Sequence, residues 1–150
     1  MKNLHKIFFH SPLIVDSEQA MRELGRQLAE CLEPGDVLGL VGDLGAGKTR
    51  LVQGILEGLG ADSPALSPTF SLVHEHTSAR IPVAHFDFYR LSSPDEALGF
   101  GWDEYLASSS VLLVEWADKF DGALMPPHTA WITIRPTDQN SREVQLHHAD

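Results

Sequence analysis

The feature that most constrains the fold of this chain is a glycine-rich segment set between an apolar run and a helix-forming run. Residues 42–49 read Gly-Asp-Leu-Gly-Ala-Gly-Lys-Thr and match the pattern G-x-x-x-x-G-K-[ST] in full. The apolar run Val37–Val41 precedes the segment, and residues 49–59 follow it with the periodicity of a helix. A strand, a tight glycine turn and a helix in this order are the setting in which the pattern forms an anion site.

Each residue type in this segment has a physical reason to bind phosphate. The glycines at positions 42, 45 and 47 let the backbone turn tightly and point N–H groups at an anion, and the helix adds the positive end of its dipole. Lys48 is placed to reach the outer phosphates, and the Thr49 hydroxyl to ligate a magnesium ion. No Asn-Lys-x-Asp element for reading guanine follows, which favours ATP over GTP. The predicted nucleotide-binding residues are Gly42, Asp43, Leu44, Gly45, Ala46, Gly47, Lys48, Thr49 and Arg50.

Length and charge limit the other classes of protein. A chain of 150 residues predicts a single domain, 1–150, and its lone cysteine, Cys31, fits a reducing cytoplasm. No apolar run approaches the roughly 20 residues that span a bilayer, and residues 1–10 lack the features of a secretory peptide. The net charge of −10, with Lys and Arg scattered, argues against autonomous binding of nucleic acid. An acidic protein would reach RNA indirectly, through a basic partner.

Predicted strands and helices alternate along the chain. Strands are predicted at residues 4–9, 37–41, 69–74, 81–88, 111–114, 130–135 and 143–147. Helices are predicted after the Asp16-Ser17 cap, at 49–59, from Ser93-Pro94 onward and at 102–107. The last two strands are predicted to form a hairpin at the sheet edge. This order predicts the α/β class: a three-layer P-loop NTPase-like domain with a central mixed, mainly parallel sheet.

Two carboxylates are candidates for work beside the phosphate loop. Glu115 emerges as the apolar run 111–114 ends, where a magnesium-binding acid is expected, although a solvent-facing strand terminus is the alternative. Asp87 ends another predicted strand and is a candidate to orient water, the alternative being a turn cap or a pair with Arg90. Thr69 is either a contact to the γ-phosphate or metal, or a structural turn hydroxyl. We therefore predict Lys48, Asp87 and Glu115 as catalytic, and Thr49 and Glu115 as metal ligands.

Several segments together resemble the TsaE (YjeE) family of small bacterial ATPases. The segments that carry the resemblance, in chain order, are residues 42–49, Ser67-Pro68-Thr69-Phe70, His85-Phe86-Asp87-Phe88-Tyr89-Arg90, Trp102-Asp103-Glu104-Tyr105-Leu106 and Val114-Glu115-Trp116-Ala117-Asp118. The loop alone is found in many protein families. Its combination with the segments at residues 85–90 and 114–118 is specific to this family. The resemblance covers roughly residues 14–135.

The resemblance implies a function that composition does not give. Proteins of this family bind ATP and magnesium, hydrolyse ATP slowly when alone, and act with TsaB and TsaD in threonylcarbamoyladenosine modification of tRNA. Hydrolysis is expected to reset the TsaB–TsaD complex between turnovers. By motif, Lys48 would hold phosphates, Thr49 and Glu115 the magnesium, Asp87 would support hydrolysis, and Trp116 would lie close by.

One position departs from the family pattern, and two other classes of protein stay open. Arg50 stands where the family usually has a second Thr, so a hydroxyl contact to the nucleotide would be lost. A P-loop small-molecule kinase would share the same cradle, but residues 91–107 contain no Arg or Lys for a basic lid. A nucleotide-sensing module with incidental hydrolysis is the third class.

Overall fold

A computed structural model of the chain describes residues 4–8, 12–43, 45–62, 72–137 and 140–148. The helices are α1 (Leu4–Ile7), α2 (Glu18–Cys31), α3 (Lys48–Gly58), α4 (Pro94–Gly99) and α5 (Trp102–Leu106). The strands are β1 (Leu13–Val15), β2 (Val37–Val41), β3 (Val73–His76), β4 (Val83–Asp87), β5 (Val111–Glu115), β6 (Ala130–Pro136) and β7 (Arg142–His148). None of the described helices has the length and apolar character needed to cross a membrane.

The seven strands form one mixed sheet in the order β1-β7-β6-β2-β5-β4-β3. Strands β6, β2, β5 and β4 pair in parallel, while the outer pairings are antiparallel. Because β1 is antiparallel to β7 and β7 to β6, β1 runs with the central four, so five strands of seven share one direction. The mainly parallel sheet is thus confirmed.

Apolar side chains cover both faces of this sheet. On one face Leu38 and Leu40 pack in a cluster with α2 and α3. On the other face Phe86 and Val114 pack in a second cluster that contains Trp102 of α5. Successive residues of a central strand point to opposite faces, and here both faces are covered by apolar side chains. This explains the unbroken apolar run of residues 111–114 in β5, a strand in which every residue is buried. The expected three layers are confirmed.

Helices α2 and α3 pack with their backbones in close contact. A Cβ atom added at Gly54 would lie 2.0 Å from Arg22 O, and one added at Gly25 would lie 2.4 Å from Leu51 O. At the rim of this contact Glu57 pairs with both Arg22 and Arg26. Since α3 begins at Lys48, this packing fixes where the phosphate-loop helix stands on the sheet.

Three sequence predictions need correction. Residues 4–9 were expected to be a strand, but Leu4–Ile7 is a short helix that buries Leu4 and Phe8 at i, i+4 spacing. The hairpin β6–β7 exists, but β1 occupies the sheet edge beyond it. The strand expected at 69–74 appears as β3, Val73–His76, and its predicted beginning lies outside the described residues.

Candidate functional site

The glycine-rich loop leaves the carboxyl end of β2 and turns into α3. Gly45 has φ 77° and Gly47 has φ 110°, left-handed conformations that favour glycine. Gly42 is needed for a different reason, since a Cβ atom there would lie 2.7 Å from Ile134 O of β6. The loop geometry therefore explains all three glycines, whereas Leu44 lies outside the described residues.

Beside the loop lies a cavity of about 550 Å³. Most of the predicted site residues are brought together in its lining: Gly45, Ala46, Gly47, Lys48, Thr49, Arg50, Asp87 and Glu115. Trp116 lines it too, as the resemblance implied. Residues from β1, α2 and the β6–β7 hairpin complete the wall: Val15, Ser17, Glu18, Met21, Asn140 and Arg142. Gly42 and Asp43 begin the loop but are not part of this lining, and Thr69 lies outside the described residues.

Lys48 is buried at the first turn of α3. Its Nζ donates a hydrogen bond to Gly42 O and lies 3.8 Å from the centre of the Trp116 ring. Burial lowers the pKa of Lys48, and the carboxylates of Glu115, Asp87, Asp118 and Asp43 oppose that shift. A desolvated ammonium among acids is a group for which anionic phosphate oxygens are favourable partners.

The backbone of Trp116 places this ring over Lys48. Trp116 has φ 57°, a left-handed conformation that costs of order 1 kcal/mol for a residue with a side chain. Its ring packs on Tyr89 at a centroid distance of 4.9 Å, and Lys119 Nζ donates to Tyr89 O at 2.7 Å. These contacts hold the strained Trp116 directly after the carboxyl end of β5.

The two predicted carboxylates stand side by side at the ends of parallel strands. Asp87 and Glu115 are register partners between β4 and β5, and Leu40 of β2 pairs with Glu115 on the other side. The Asp87 carboxylate also accepts the Tyr89 N–H at 2.9 Å, so the turn-cap alternative and the cavity position hold together. Glu115 is buried rather than solvent-facing, which removes the alternative of a solvent-facing terminus.

A buried histidine that the sequence did not single out contacts Glu115. His85 Nε2 lies 2.6 Å from Glu115 Oε2, with both side chains buried. An ionised carboxylate can only accept, so opposite ionised Glu115 it is Nε2 that donates the proton of this bond. His85 Nδ1 is buried without a hydrogen-bond partner among the described residues. Within the sequence, the signal was a polar residue in an apolar strand two positions before Asp87.

Arg142 is the second residue that sequence reasoning missed. It begins β7 and crosses to the phosphate loop, where Nε donates to Ala46 O at 3.2 Å and Nη2 to Gly45 O at 3.4 Å. No local motif marks it, because the contact joins segments 96 residues apart. Arg50, the departure from the family pattern, instead pairs with Glu18 of α2 at 3.4 Å.

The donor set fits magnesium held jointly with a nucleotide. Magnesium takes oxygen ligands and keeps several waters, using one or two protein groups plus phosphate oxygens. Thr49 and Glu115 supply a hydroxyl and a carboxylate to one cavity. The described residues contain no cluster of three or more His, Cys, Asp or Glu suited to hold a metal. The two oxygen donors, Thr49 and Glu115, leave coordination positions for phosphate oxygens and water, as magnesium bound with a triphosphate requires.

The sheet order, the loop after β2 and the paired strand ends define a P-loop NTPase-like α/β protein. The crystal structure of Bacillus subtilis YdiB resembles it with a TM-score of 0.79 at 30% identity, covering 92% of this chain and 84% of that one. The family model described as "Threonylcarbamoyl adenosine biosynthesis protein TsaE" matches residues 15–144.

Curated relatives agree with this match. The proteins named "tRNA threonylcarbamoyladenosine biosynthesis protein TsaE" of Haemophilus influenzae and Bacillus subtilis are each 39% identical to this chain. The alignments cover 88% of this chain and 85% of the first relative, and 82% and 76% for the second. The same-named Streptomyces coelicolor protein is 48% identical over 101 residues, 65% of this chain and 68% of its own length. The chain belongs to the TsaE family.

Proposed function

We propose that this protein is a magnesium-dependent ATPase with low intrinsic activity that serves threonylcarbamoyladenosine modification of tRNA in the cytoplasm. The observation that carries the proposal is one cavity lined by the phosphate loop, Lys48, Asp87 and Glu115. Family membership supports the pathway, because the relatives carry that pathway in their names. In this proposal ATP is the nucleotide, and the partners are a TsaB–TsaD complex.

The loop and its lysine bind the phosphates. Backbone N–H groups of the glycine turn and the positive end of the α3 dipole meet the anion, and Lys48 turns from the Trp116 ring toward the outer phosphates. Thr49 and Glu115 would hold magnesium through a hydroxyl and a carboxylate. Bound magnesium supplies positive charge that offsets the charge on the phosphate oxygens.

Asp87 is the residue that we assign to water. In hydrolysis a water oxygen forms a bond to the γ-phosphorus, the bond to the β–γ bridging oxygen breaks, and ADP leaves with that electron pair. The carboxylate of Asp87 orients the water and takes its proton, and the Tyr89 N–H holds that carboxylate in place.

The charge of the protein supports partner-dependent action. A net charge of −10 gives repulsion toward tRNA phosphates, so the chain reaches tRNA through its partners rather than by direct contact. Hydrolysis of ATP then resets the TsaB–TsaD complex between turnovers.

The test is ATP hydrolysis by the purified chain, alone and with its organism's TsaB–TsaD pair, with and without magnesium. We expect slow, magnesium-dependent release of phosphate that rises when the pair is added. Asp87→Asn should lower the rate about a hundredfold or more with ADP affinity kept, since general acid–base groups contribute about 10²–10⁴-fold. Asp121→Asn is the matched control, because exposed Asp121 lies away from the cavity lining and its left-handed backbone suits Asn.

The same experiment separates the proposal from a small-molecule kinase. A rate that the pair leaves unchanged, together with transfer of phosphate to a small metabolite, contradicts the ATPase assignment and supports the kinase. Residues 91–107, which form α4 and α5, contain no Arg or Lys to cover a transferred phosphoryl group.

A further inference from the structure

Arg142 lines the cavity and makes three hydrogen bonds to backbone carbonyl groups. Nε donates to Ala46 O at 3.2 Å, Nη2 to Gly45 O at 3.4 Å and Nη1 to Ser141 O at 3.1 Å. Two of these acceptors belong to the phosphate loop, and the third is the residue just before β7. The planar guanidinium therefore ties the loop to the sheet.

The backbone of Arg142 is itself held on both sides. It pairs with Val15 of β1 and with Pro136 of β6, so β7 is an interior strand at this point. With this backbone held in the sheet, only the side-chain torsions of Arg142 remain to be fixed by the bonds to the loop. The side chain can therefore hold the loop in a fixed position relative to the sheet.

Bonds to the loop carbonyl oxygens control where the loop N–H groups point. In a trans peptide the C=O and the N–H point in opposite directions, so a donor on Ala46 O turns the Gly47 N–H away from itself. The preceding N–H, that of Ala46, is already fixed because it donates to Asp43 O at 3.0 Å. Gly47 is also the N-cap of α3, with φ 110°, a position where glycine has wide conformational freedom. Arg142 thus restrains the peptide between Ala46 and the flexible Gly47.

We propose that Arg142 is a positioning residue that holds the phosphate loop in its anion-binding conformation by bridging the carbonyl oxygens of Gly45 and Ala46. The inference rests on the proposed function, since it concerns the affinity of that site for a phosphate chain. It assigns to the β6–β7 hairpin a role in nucleotide binding that the loop motif does not contain.

The experiment compares Arg142→Gln and Arg142→Lys with the unchanged protein. Binding of a fluorescent ADP analogue is measured directly, and inorganic tripolyphosphate is measured as its competitor, with urea unfolding of each variant in parallel. Arg135→Gln is the matched control, because exposed Arg135 lies on the same hairpin outside the cavity lining. Each variant is assayed under conditions where unfolding shows it to be fully folded.

We expect Arg142→Gln to weaken the binding of both ADP and tripolyphosphate by the same factor, about tenfold or more, as for loss of charged hydrogen bonds. Arg142→Lys should be impaired as well, because a single ammonium does not bridge two carbonyl groups in a fixed fork. Arg135→Gln should bind both ligands as the unchanged protein does.

Four results would overturn the inference. Unchanged affinities in folded Arg142→Gln would leave only a structural role, and full rescue by Arg142→Lys would mean that charge alone matters. Weaker binding of ADP with unchanged tripolyphosphate would assign Arg142 to the nucleoside instead. If the unchanged protein itself binds neither ADP nor tripolyphosphate, the proposed function is overturned together with this inference. The first three outcomes leave the proposed function standing.

Discussion

At the scale of single residues, His85 decides how the Glu115 carboxylate is held. The two side chains meet at 2.6 Å between β4 and β5, and burial leaves the carboxylate dependent on a protein donor. Removing that donor leaves a buried acceptor unsatisfied, which is more costly than the net worth of the bond. The same reasoning makes the pair energetically coupled, because neither partner has a good environment without the other.

We therefore predict that His85→Leu lowers the free energy of unfolding by about 1–3 kcal/mol, and that His85→Gln, which keeps a donor near the Nε2 position, loses less. In a double-mutant cycle with Glu115→Gln, the coupling energy should exceed about 0.5 kcal/mol. Urea unfolding of the unchanged protein, His85→Leu, Glu115→Gln and the double variant measures this coupling energy. Additive effects would show that the two side chains do not interact in solution.

At the scale of elements, the contact between α2 and α3 sets the position of Lys48. The glycines of α3 let its backbone approach α2, and Gly54 faces Arg22 O so closely that no side chain fits. Helix propensity alone would favour alanine there by about 1 kcal/mol, so close packing has overridden propensity.

We predict that Gly54→Ala destabilises the protein by about 3 kcal/mol, because the added methyl group meets backbone rather than a movable side chain. Gly99→Ala is the control, since a Cβ atom at the end of α4 meets nothing within 4 Å. That variant should be neutral or slightly stabilised. Equal urea midpoints for the two variants would contradict the close approach of α2 and α3.

A second link between elements joins α5 to the edge strand β3. The Tyr105 hydroxyl donates to Glu75, and this hydrogen bond is the main reason that the pKa of Tyr105 rises to about 12. The folded state therefore holds the phenol proton more tightly than the unfolded chain, where the pKa is about 10. Stability from this bond is complete below pH 10 and is lost as the pH rises toward 12.

The chain has two tyrosines, which makes this prediction measurable. In a Tyr89→Phe variant, the phenolate absorbance should report Tyr105 alone, with a midpoint near 12. Adding Glu75→Gln should lower that midpoint, because the carboxylate acceptor is gone. A midpoint near 10 in the folded Tyr89→Phe variant would show that the Tyr105–Glu75 bond is not formed.

At the scale of the whole molecule, the sequence predicts those parts of the site that are local in the chain. The phosphate loop needs only consecutive residues, and Asp87 and Glu115 were found because carboxyl ends of parallel strands meet at one edge. His85 and Arg142 escaped because their contacts depend on register and crossing between segments 30 and 96 residues apart. Residues 4–9 misled because an apolar pair at i, i+4 was read as a strand, and β1, with three residues, was too short to stand out.

The cavity draws on segments from Val15 to Arg142, so a bound nucleotide should stabilise the molecule as one unit. The unfolding of the two faces of the sheet can be followed by separate signals. The long helices α2 and α3, with 14 and 11 residues, lie on one face and dominate the helical circular dichroism signal. The three tryptophans, Trp102, Trp116 and Trp131, all belong to the cluster on the other face. A single cooperative domain predicts that both signals change together.

We predict that ADP with magnesium, at about 100 times its Kd, raises the free energy of unfolding by about 2.7 kcal/mol. The circular dichroism and the tryptophan fluorescence should move by the same amount in urea. Lys48→Ala is the control and should show little shift at the same ADP concentration, because the phosphates lose their buried cation. A shift seen by one signal alone would mean that the two faces unfold separately and that ADP stabilises only the part of the chain that surrounds the loop.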